Sequence, residues 1–80
     1  MMLKELKIGE IFTIEETPSY PKLKIDGGYV DIRDDIVNTS GNNDKRDVRI
    51  ETIKEISEIF NESEADIRTL MDIKNRQYIG

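Results

Sequence analysis

The stretch Pro21-Lys-Leu-Lys-Ile-Asp-Gly-Gly-Tyr-Val-Asp-Ile-Arg33 decides the fold, because polar and apolar residues alternate on both sides of a glycine pair. Alternation with a period of two is typical of a half-buried β-strand. Asp26-Gly-Gly28 predicts the turn between two such strands, since glycine adopts positive φ without steric cost. The stretch therefore predicts a β-hairpin whose inward face carries Leu23, Ile25, Val30 and Ile32.

Two further strands are predicted outside the hairpin. Ile11-Phe-Thr-Ile-Glu15 follows a glycine turn, and Lys7-Ile-Gly-Glu-x-Phe12 resembles the first strand of many small SH3-like barrels. Arg46-Asp-Val-Arg-Ile50 alternates in the same way and predicts an edge or closing strand. The segment Thr17-Pro-Ser-Tyr-Pro21 predicts a turn, because its prolines preclude a helix. The polar segment from Asp34 to Asp47 predicts an exposed loop.

Two helices are predicted after the strands, and each opens with a capping signature. Thr52-Ile-Lys-Glu55 is a capping box. Ser63-Glu-Ala-Asp66 has the same pattern with aspartate, which has a shorter side chain, in place of glutamate. The apolar spacing predicts helices over about 53–60 and 64–76, with Asn61 in the left-handed conformation between them. The positions predicted to be buried are Ile53, Ile56, Ile59, Phe60, Ile67, Leu70, Met71 and Ile73.

These patterns predict a single α+β domain over residues 1–80, with a β-rich part (1–50) followed by a helical hairpin (51–80). The first part is expected to form a small, bent antiparallel sheet or a partial SH3-like barrel of about four strands. A homodimer remains a candidate assembly, because association adds stability to a chain of only 80 residues.

The composition argues against catalysis. The chain contains no cysteine and no histidine, which excludes disulfides and thiolate or imidazole zinc sites. General acid–base chemistry most often uses histidine, and no phosphate loop or nucleophile elbow is present. Oxygen ligands are dense between Asp34 and Asp47, but their spacing does not match a calcium-binding EF-hand loop. We therefore expect a non-enzymatic protein without a cofactor or metal.

Charge and hydropathy indicate the kind of partner. The net charge is −5, from 12 basic and 17 acidic residues, and this balance disfavours binding to phosphates. It suits a basic protein partner instead. No apolar run approaches the roughly 20 residues of a membrane span, and charge begins at Lys4, so we expect a cytoplasmic protein that does not enter a membrane.

The outward face of the hairpin is a candidate binding surface. Aromatic and basic side chains are expected to lie close together there, a composition favoured at protein interfaces. Cross-strand pairing between lysine and aspartate on a solvated sheet explains the same pattern without a partner. The residues predicted to form this surface are Tyr20, Lys22, Lys24, Tyr29 and Arg33.

The segment Ile56–Leu70 resembles the helix-turn-helix of DNA-binding regulators and excisionase-like proteins. Ser57 stands where that motif has a small residue, and Asn61 replaces the usual turn glycine. The segment departs from the motif at Glu62, where an apolar residue is usual, and its second helix opens with acidic residues. An αα-hairpin that serves only packing is therefore the favoured interpretation. If the resemblance reflects DNA binding, the contacting residues are Arg68, Thr69, Lys74 and Arg76.

In size, in its lysine-, glutamate- and isoleucine-rich composition and in its lack of catalytic residues, the chain is similar to accessory proteins of bacteriophages and other mobile elements. The resemblance implies a binding module in the cytoplasm of a bacterial cell or phage-infected host, which modulates or inhibits a host macromolecule through protein–protein contacts. Anti-CRISPR-like inhibitors offer carboxylates where phosphates would lie, and an acidic chain suits that role. The alternatives are a helix-turn-helix regulator and a small-ligand sponge at a dimer interface.

Overall fold

The computed structural model describes residues 1–39 and 45–80, which form an open antiparallel sheet followed by two helices. The strands are β1 (Ile11–Ile14), β2 (Thr17–Ile25), β3 (Gly28–Asp31), β4 (Val37–Asn38) and β5 (Val48–Ile50), and the helices are α1 (Ile53–Phe60) and α2 (Glu64–Tyr78). The spatial order of the strands is β4-β3-β2-β1-β5. The predicted α+β class is confirmed. Of the two predicted sheet forms the open one is observed, with five strands rather than about four.

The β2–β3 hairpin is the one that the alternation predicts. Leu23 pairs with Val30, Ile25 pairs with Gly28, and Gly27 occupies the turn with a φ of +77°. The predicted inward residues are all buried: Leu23, Ile25, Val30 and Ile32. The central assumption of the sequence analysis is therefore confirmed.

The segment Thr17–Pro21 is not the predicted turn but the first part of β2. Proline excludes a helix, yet its fixed φ is compatible with an extended strand where the ladder is irregular. The β1–β2 register is irregular between Phe12 and Ile14, next to these prolines. The chain turns earlier than predicted, at Glu15-Glu16.

The predicted loop between the hairpin and the last strand contributes β4. Val37 pairs with Val30, and Asn38 pairs with Tyr29, so part of this polar segment extends the sheet. The predicted loop residues Asn42, Asn43 and Asp44 lie outside the described residues. The predicted edge strand is confirmed as β5, which lies at the end of the sheet beside β1.

Both helices begin as their capping signatures predict. The Thr52 hydroxyl accepts the Glu55 N–H at 3.2 Å, and the Glu55 carboxylate accepts the Thr52 N–H at 2.9 Å. Ser63 caps α2, and Asn61 takes the left-handed conformation with a φ of +55°. Helix α2 ends at Tyr78, two residues later than predicted, and Ile73, which was predicted to be buried, is 49% exposed. Among the described residues, no helix has the length and hydropathy needed to cross a membrane.

We expect Thr52→Ala to lower the free energy of unfolding by about 1 kcal/mol, because it removes the acceptor for the Glu55 N–H. Thr69→Ala is the matched control, since the Thr69 hydroxyl lies within α2 and donates to the Ala65 carbonyl. This control should leave stability unchanged or raise it by about 0.5 kcal/mol, because alanine has the higher helix propensity. Thermal unfolding followed by circular dichroism measures both. Equal losses in the two variants would contradict a capping role for Thr52.

Both sides of the sheet are covered. The helices pack on one side over a helix-side core of Leu23, Ile25, Val30, Ile32, Ile56, Ile67 and Met71. A 3₁₀ turn at Leu3–Glu5 accompanies a second cluster, the N-terminal core, formed by Leu3, Leu6, Phe12, Ile14, Tyr29 and Val48. The sequence analysis predicted only the helix-side core.

Candidate protein-binding groove

Three of the five hairpin residues predicted to bind a partner are buried, namely Lys22, Lys24 and Tyr29. Tyr29 belongs to the N-terminal core. The two lysines bury their aliphatic stems, and their ammonium groups donate to backbone carbonyls. Lys22 Nζ lies 2.7 Å from the backbone carbonyl oxygen of Tyr20, and Lys24 Nζ lies 2.7 Å from the backbone carbonyl oxygen of Ile25. The prediction that these three side chains form an exposed surface is therefore wrong.

The other two residues of that predicted surface, Tyr20 and Arg33, are exposed. The Arg33 guanidinium lies 4.3 Å from the centroid of the Phe60 ring and 6.0 Å from that of Tyr20. Its Nε donates to the Ser19 carbonyl at 3.1 Å, so the side chain is held between β2 and α1. A binding role for Tyr20 and Arg33 stays a prediction.

Lys74, predicted to contact DNA in the helix-turn-helix alternative, is buried and bound to Asp35. Hydrogen bonds from Lys74 and then from Tyr78 lower the pKa of the Asp35 carboxyl. Burial raises the pKa of the Tyr78 hydroxyl, and so do its hydrogen bond to Asp35 and the negative charge of that carboxylate. This cluster fixes the end of α2 to the β3–β4 connection. Lys74 is therefore held inside the fold rather than free on the helix surface, which disfavours a DNA contact, and its role in DNA binding stays a prediction.

The other three residues of the DNA-binding alternative lie on the exposed surface of α2. Each has an intrahelical partner. The Arg68 guanidinium lies 3.5 Å from the Glu64 carboxylate, and Arg76 donates to a carbonyl one turn earlier. The Thr69 hydroxyl also donates to a carbonyl one turn earlier. The helix pair thus presents two arginines beside acidic residues, and DNA binding stays a prediction that rests on few cations.

A groove lies on the helix-facing side of the sheet at the corner formed by β1 and β5. Thr13 pairs with Arg49 across these strands. Phe12 and Ile14 point into the N-terminal core, so Thr13 points to the opposite, helix-facing side. The helices cover the hairpin half of that side and leave the β1–β5 corner open.

The groove consists of two adjoining clefts that share Pro18, Arg49 and Glu51. The cleft along the strands has a volume of about 330 Å³, and the one against α1 has a volume of about 370 Å³. Within the described residues, the carboxylates that line the two clefts outnumber the cations. We call this surface the acidic groove, and its charged residues are Glu15, Asp47, Glu51, Glu55, Glu58 and Arg49.

Glu55 is held as an anion at the wall of the acidic groove. The Thr52 backbone N–H, the Thr52 hydroxyl and the Arg49 guanidinium lower the pKa of its carboxyl to about 2. Arg49 Nη2 lies 2.6 Å from the Glu55 carboxylate, although the Arg49 side chain is 74% exposed. An exposed arginine leaves such a pair readily, because solvent screens the attraction.

Glu51 forms the floor between the two clefts, and its side chain is only 6% exposed. Burial is the main cause that raises the pKa of its carboxyl, and the neighbouring Glu55 acts in the same direction. The Thr13 hydroxyl donates to Glu51 Oε1 at 2.8 Å and opposes that rise.

The sequence analysis did not identify the acidic groove. A period of two places Asp47, Arg49 and Glu51 on one face of the last strand, but nothing local indicates which strand lies beside it. The partner strand β1 is more than 30 residues away in sequence. Only the tertiary structure brings together the carboxylates that flank β1 and β5 and those of α1.

Among residues 1–39 and 45–80, no group of three or more acidic side chains is arranged to hold a metal ion. Comparisons of the chain with protein-family models, with curated proteins and with solved structures found no match. The features of the chain that bear on its function are therefore the geometry and charge of the acidic groove.

Proposed function

We propose that the chain is a non-enzymatic binding module that recognises a basic surface of another protein through the acidic groove. It acts as an accessory protein of a bacteriophage or mobile element and modulates or inhibits a host macromolecule. One observation carries this proposal: the clefts place five acidic side chains around a single exposed guanidinium, that of Arg49, within the described residues. Such an excess of one charge attracts a partner of the opposite charge and orients it on approach.

The arrangement of the acidic groove also favours a nucleic-acid-binding host protein as the partner. Its carboxylates are spread along the β1–β5 corner and the adjoining side of α1, as phosphates are spread along a backbone. A site that evolved for phosphates presents lysine and arginine side chains, and these pair with carboxylates as well. The net charge of −5 adds long-range attraction to such a surface.

The proposal is tested with two triple variants of equal charge. The groove variant carries Glu15→Gln, Asp47→Asn and Glu58→Gln, and all three of these side chains are exposed. The control variant carries Glu5→Gln, Glu62→Gln and Asp72→Asn, which are also exposed and lie outside the acidic groove. Each variant changes the net charge from −5 to −2, since three carboxylates are neutralised.

We expect the immobilised wild-type protein and the control variant to retain the same partner from a bacterial lysate, identified by mass spectrometry. The groove variant should bind that purified partner about tenfold more weakly, because three ion pairs of about 0.5 kcal/mol each are lost. Equal losses in the two variants would show that only net charge matters, and would contradict the groove. A shift of genomic DNA fragments at about 50 mM salt, together with no protein partner, would favour the helix-turn-helix alternative.

A further inference from the structure

The junction between β5 and α1 contains two carboxyl groups in contact. Glu51 follows β5 directly, and Glu55 belongs to the first turn of α1. Both carboxyls lie against one guanidinium, with Arg49 Nε 3.7 Å from Glu51 Oε1 and Arg49 Nη2 2.6 Å from Glu55 Oε2, so a protonated Glu51 can donate to Glu55. The Glu51 side chain is 6% exposed, so water contributes little to the stabilisation of a negative charge there.

Neighbouring groups decide which of the two carboxyls carries the proton. Glu55 accepts the Thr52 N–H at 2.9 Å and pairs with Arg49 at 2.6 Å, and both contacts favour its anionic form. Glu51 has only the Thr13 hydroxyl at 2.8 Å and the Arg49 Nε at 3.7 Å. Two carboxylates in contact repel each other, so the less supported one, Glu51, keeps the proton.

We propose that the contact between Glu51 and Glu55 is a pH-sensitive latch that joins β5 to α1. With a proton on Glu51, the carboxyl donates to Glu55 and the latch is closed. When the proton leaves, two negative charges face each other in a nearly buried corner, and the first turn of α1 loosens from the sheet. The latch operates in the free protein and does not require the proposed basic partner.

Charged groups from each element that faces this corner act on the latch. Glu15 after β1, Asp47 beside β5 and Glu58 of α1 line the same clefts, and their negative charges favour the protonated form of Glu51. Arg49 opposes them, and Pro18 of β2 contributes no charge. The net effect of these charges favours the protonated form of Glu51.

The direction of the stability change follows from the two carboxyls. The raised pKa of Glu51 gives stability that is complete below its ordinary pKa of 4.5 and is lost as the pH rises through the raised value. The lowered pKa of Glu55 gives stability that is present above 4.5 and is lost as the pH falls toward 2. Their combined contribution is therefore greatest just above pH 4.5.

Glu51→Gln tests the latch, because the glutamine amide donates to Glu55 at every pH. We expect the wild-type melting temperature to fall as the pH rises from 4.5 through the raised pKa of Glu51, with a tenfold loss in the folding constant for each pH unit by which that pKa is raised. Glu51→Gln should abolish most of this dependence and melt higher than wild type at pH 8. Glu62→Gln, which removes an exposed charge just after the same helix and outside the acidic groove, should keep the wild-type dependence.

A second measurement on the wild-type protein needs no variant. Carbon-detected NMR of the side-chain carboxyls should show Glu51 titrating above an ordinary glutamate and Glu55 titrating near 2. Amide exchange at 53–55, corrected for the intrinsic pH dependence, should accelerate as Glu51 loses its proton. An ordinary titration of Glu51 would overturn the latch, as would an unchanged pH dependence in Glu51→Gln. Neither result would affect the proposed binding function.

Discussion

Replacement of Gly28 by alanine is expected to remove most of the protein's free energy of unfolding. A Cβ atom at this position would lie 1.9 Å from the Asn38 carbonyl oxygen and 3.1 Å from the Thr39 Cα. Both are backbone atoms of the neighbouring chain, so no side-chain rotation relieves the clash. Strand β4 would have to separate from β3, and Asn38 would lose its pairing with Tyr29. We expect a loss of about 3 kcal/mol or more, against a total stability of about 5 kcal/mol.

Gly27→Ala is the matched control for this prediction. Gly27 has a φ of +77°, and a Cβ there would meet nothing within 4 Å. The cost is then only that of a left-handed conformation for alanine, about 1–2 kcal/mol. Urea unfolding followed by circular dichroism measures both variants. If the two glycine variants lost the same stability, the close approach of β4 to Gly28 would be refuted.

The glycine pair shows how far the sequence predicts this fold. Local chemistry identifies the turn, because Asp26-Gly-Gly28 between two alternating segments is compatible with few backbone conformations other than a hairpin turn. It does not distinguish the two glycines, because Gly27 serves the turn through its φ whereas Gly28 serves the approach of β4. That strand comes from a segment without apolar alternation, and its pairing depends on tertiary contacts.

The helices could be predicted almost to the residue, because their signals are local. The capping box at Thr52, the cap at Ser63 and the left-handed Asn61 each involve atoms within four residues of one another. The hairpin face toward the helices was predictable for the same reason. The end of α2 was less predictable. Tyr78 still belongs to the helix, and its hydroxyl donates to Asp35, which lies 43 residues away in sequence.

The other face of the hairpin could not be predicted from alternation. In a two-layer fold this face of the sheet is exposed to solvent, so its residues Lys22, Lys24 and Tyr29 were predicted to be exposed. The N-terminal segment packs on this face with Tyr29 instead, and its packing residues Leu3 and Leu6 have no strand or helix periodicity. The acidic groove was missed for a related reason, because its carboxylates flank β1 and β5 or belong to α1, and β1 is distant in sequence from the other two elements.

The N-terminal core leads to the other prediction with a large expected effect. Phe12 is fully buried in it, and its ring meets that of Tyr29 edge to face at 5.6 Å. Truncation of such a phenylalanine costs about 3–5 kcal/mol through lost burial and the cavity that remains. We therefore expect Phe12→Ala to remove most of the protein's stability of about 5 kcal/mol, although neither α1 nor α2 contributes a residue to the N-terminal core.

Phe60→Ala is the control, since it removes the same side chain from the other side of the sheet. Phe60 is half-buried at the end of α1, where its ring packs against the helix-side core and the Arg33 guanidinium. Its truncation should cost about 2 kcal/mol, because less apolar surface is lost and solvent fills the gap. Chemical unfolding monitored by circular dichroism ranks the two variants. If Phe60→Ala were the more damaging, the helix-side core alone would carry the fold, and the N-terminal segment would be only an accessory cover.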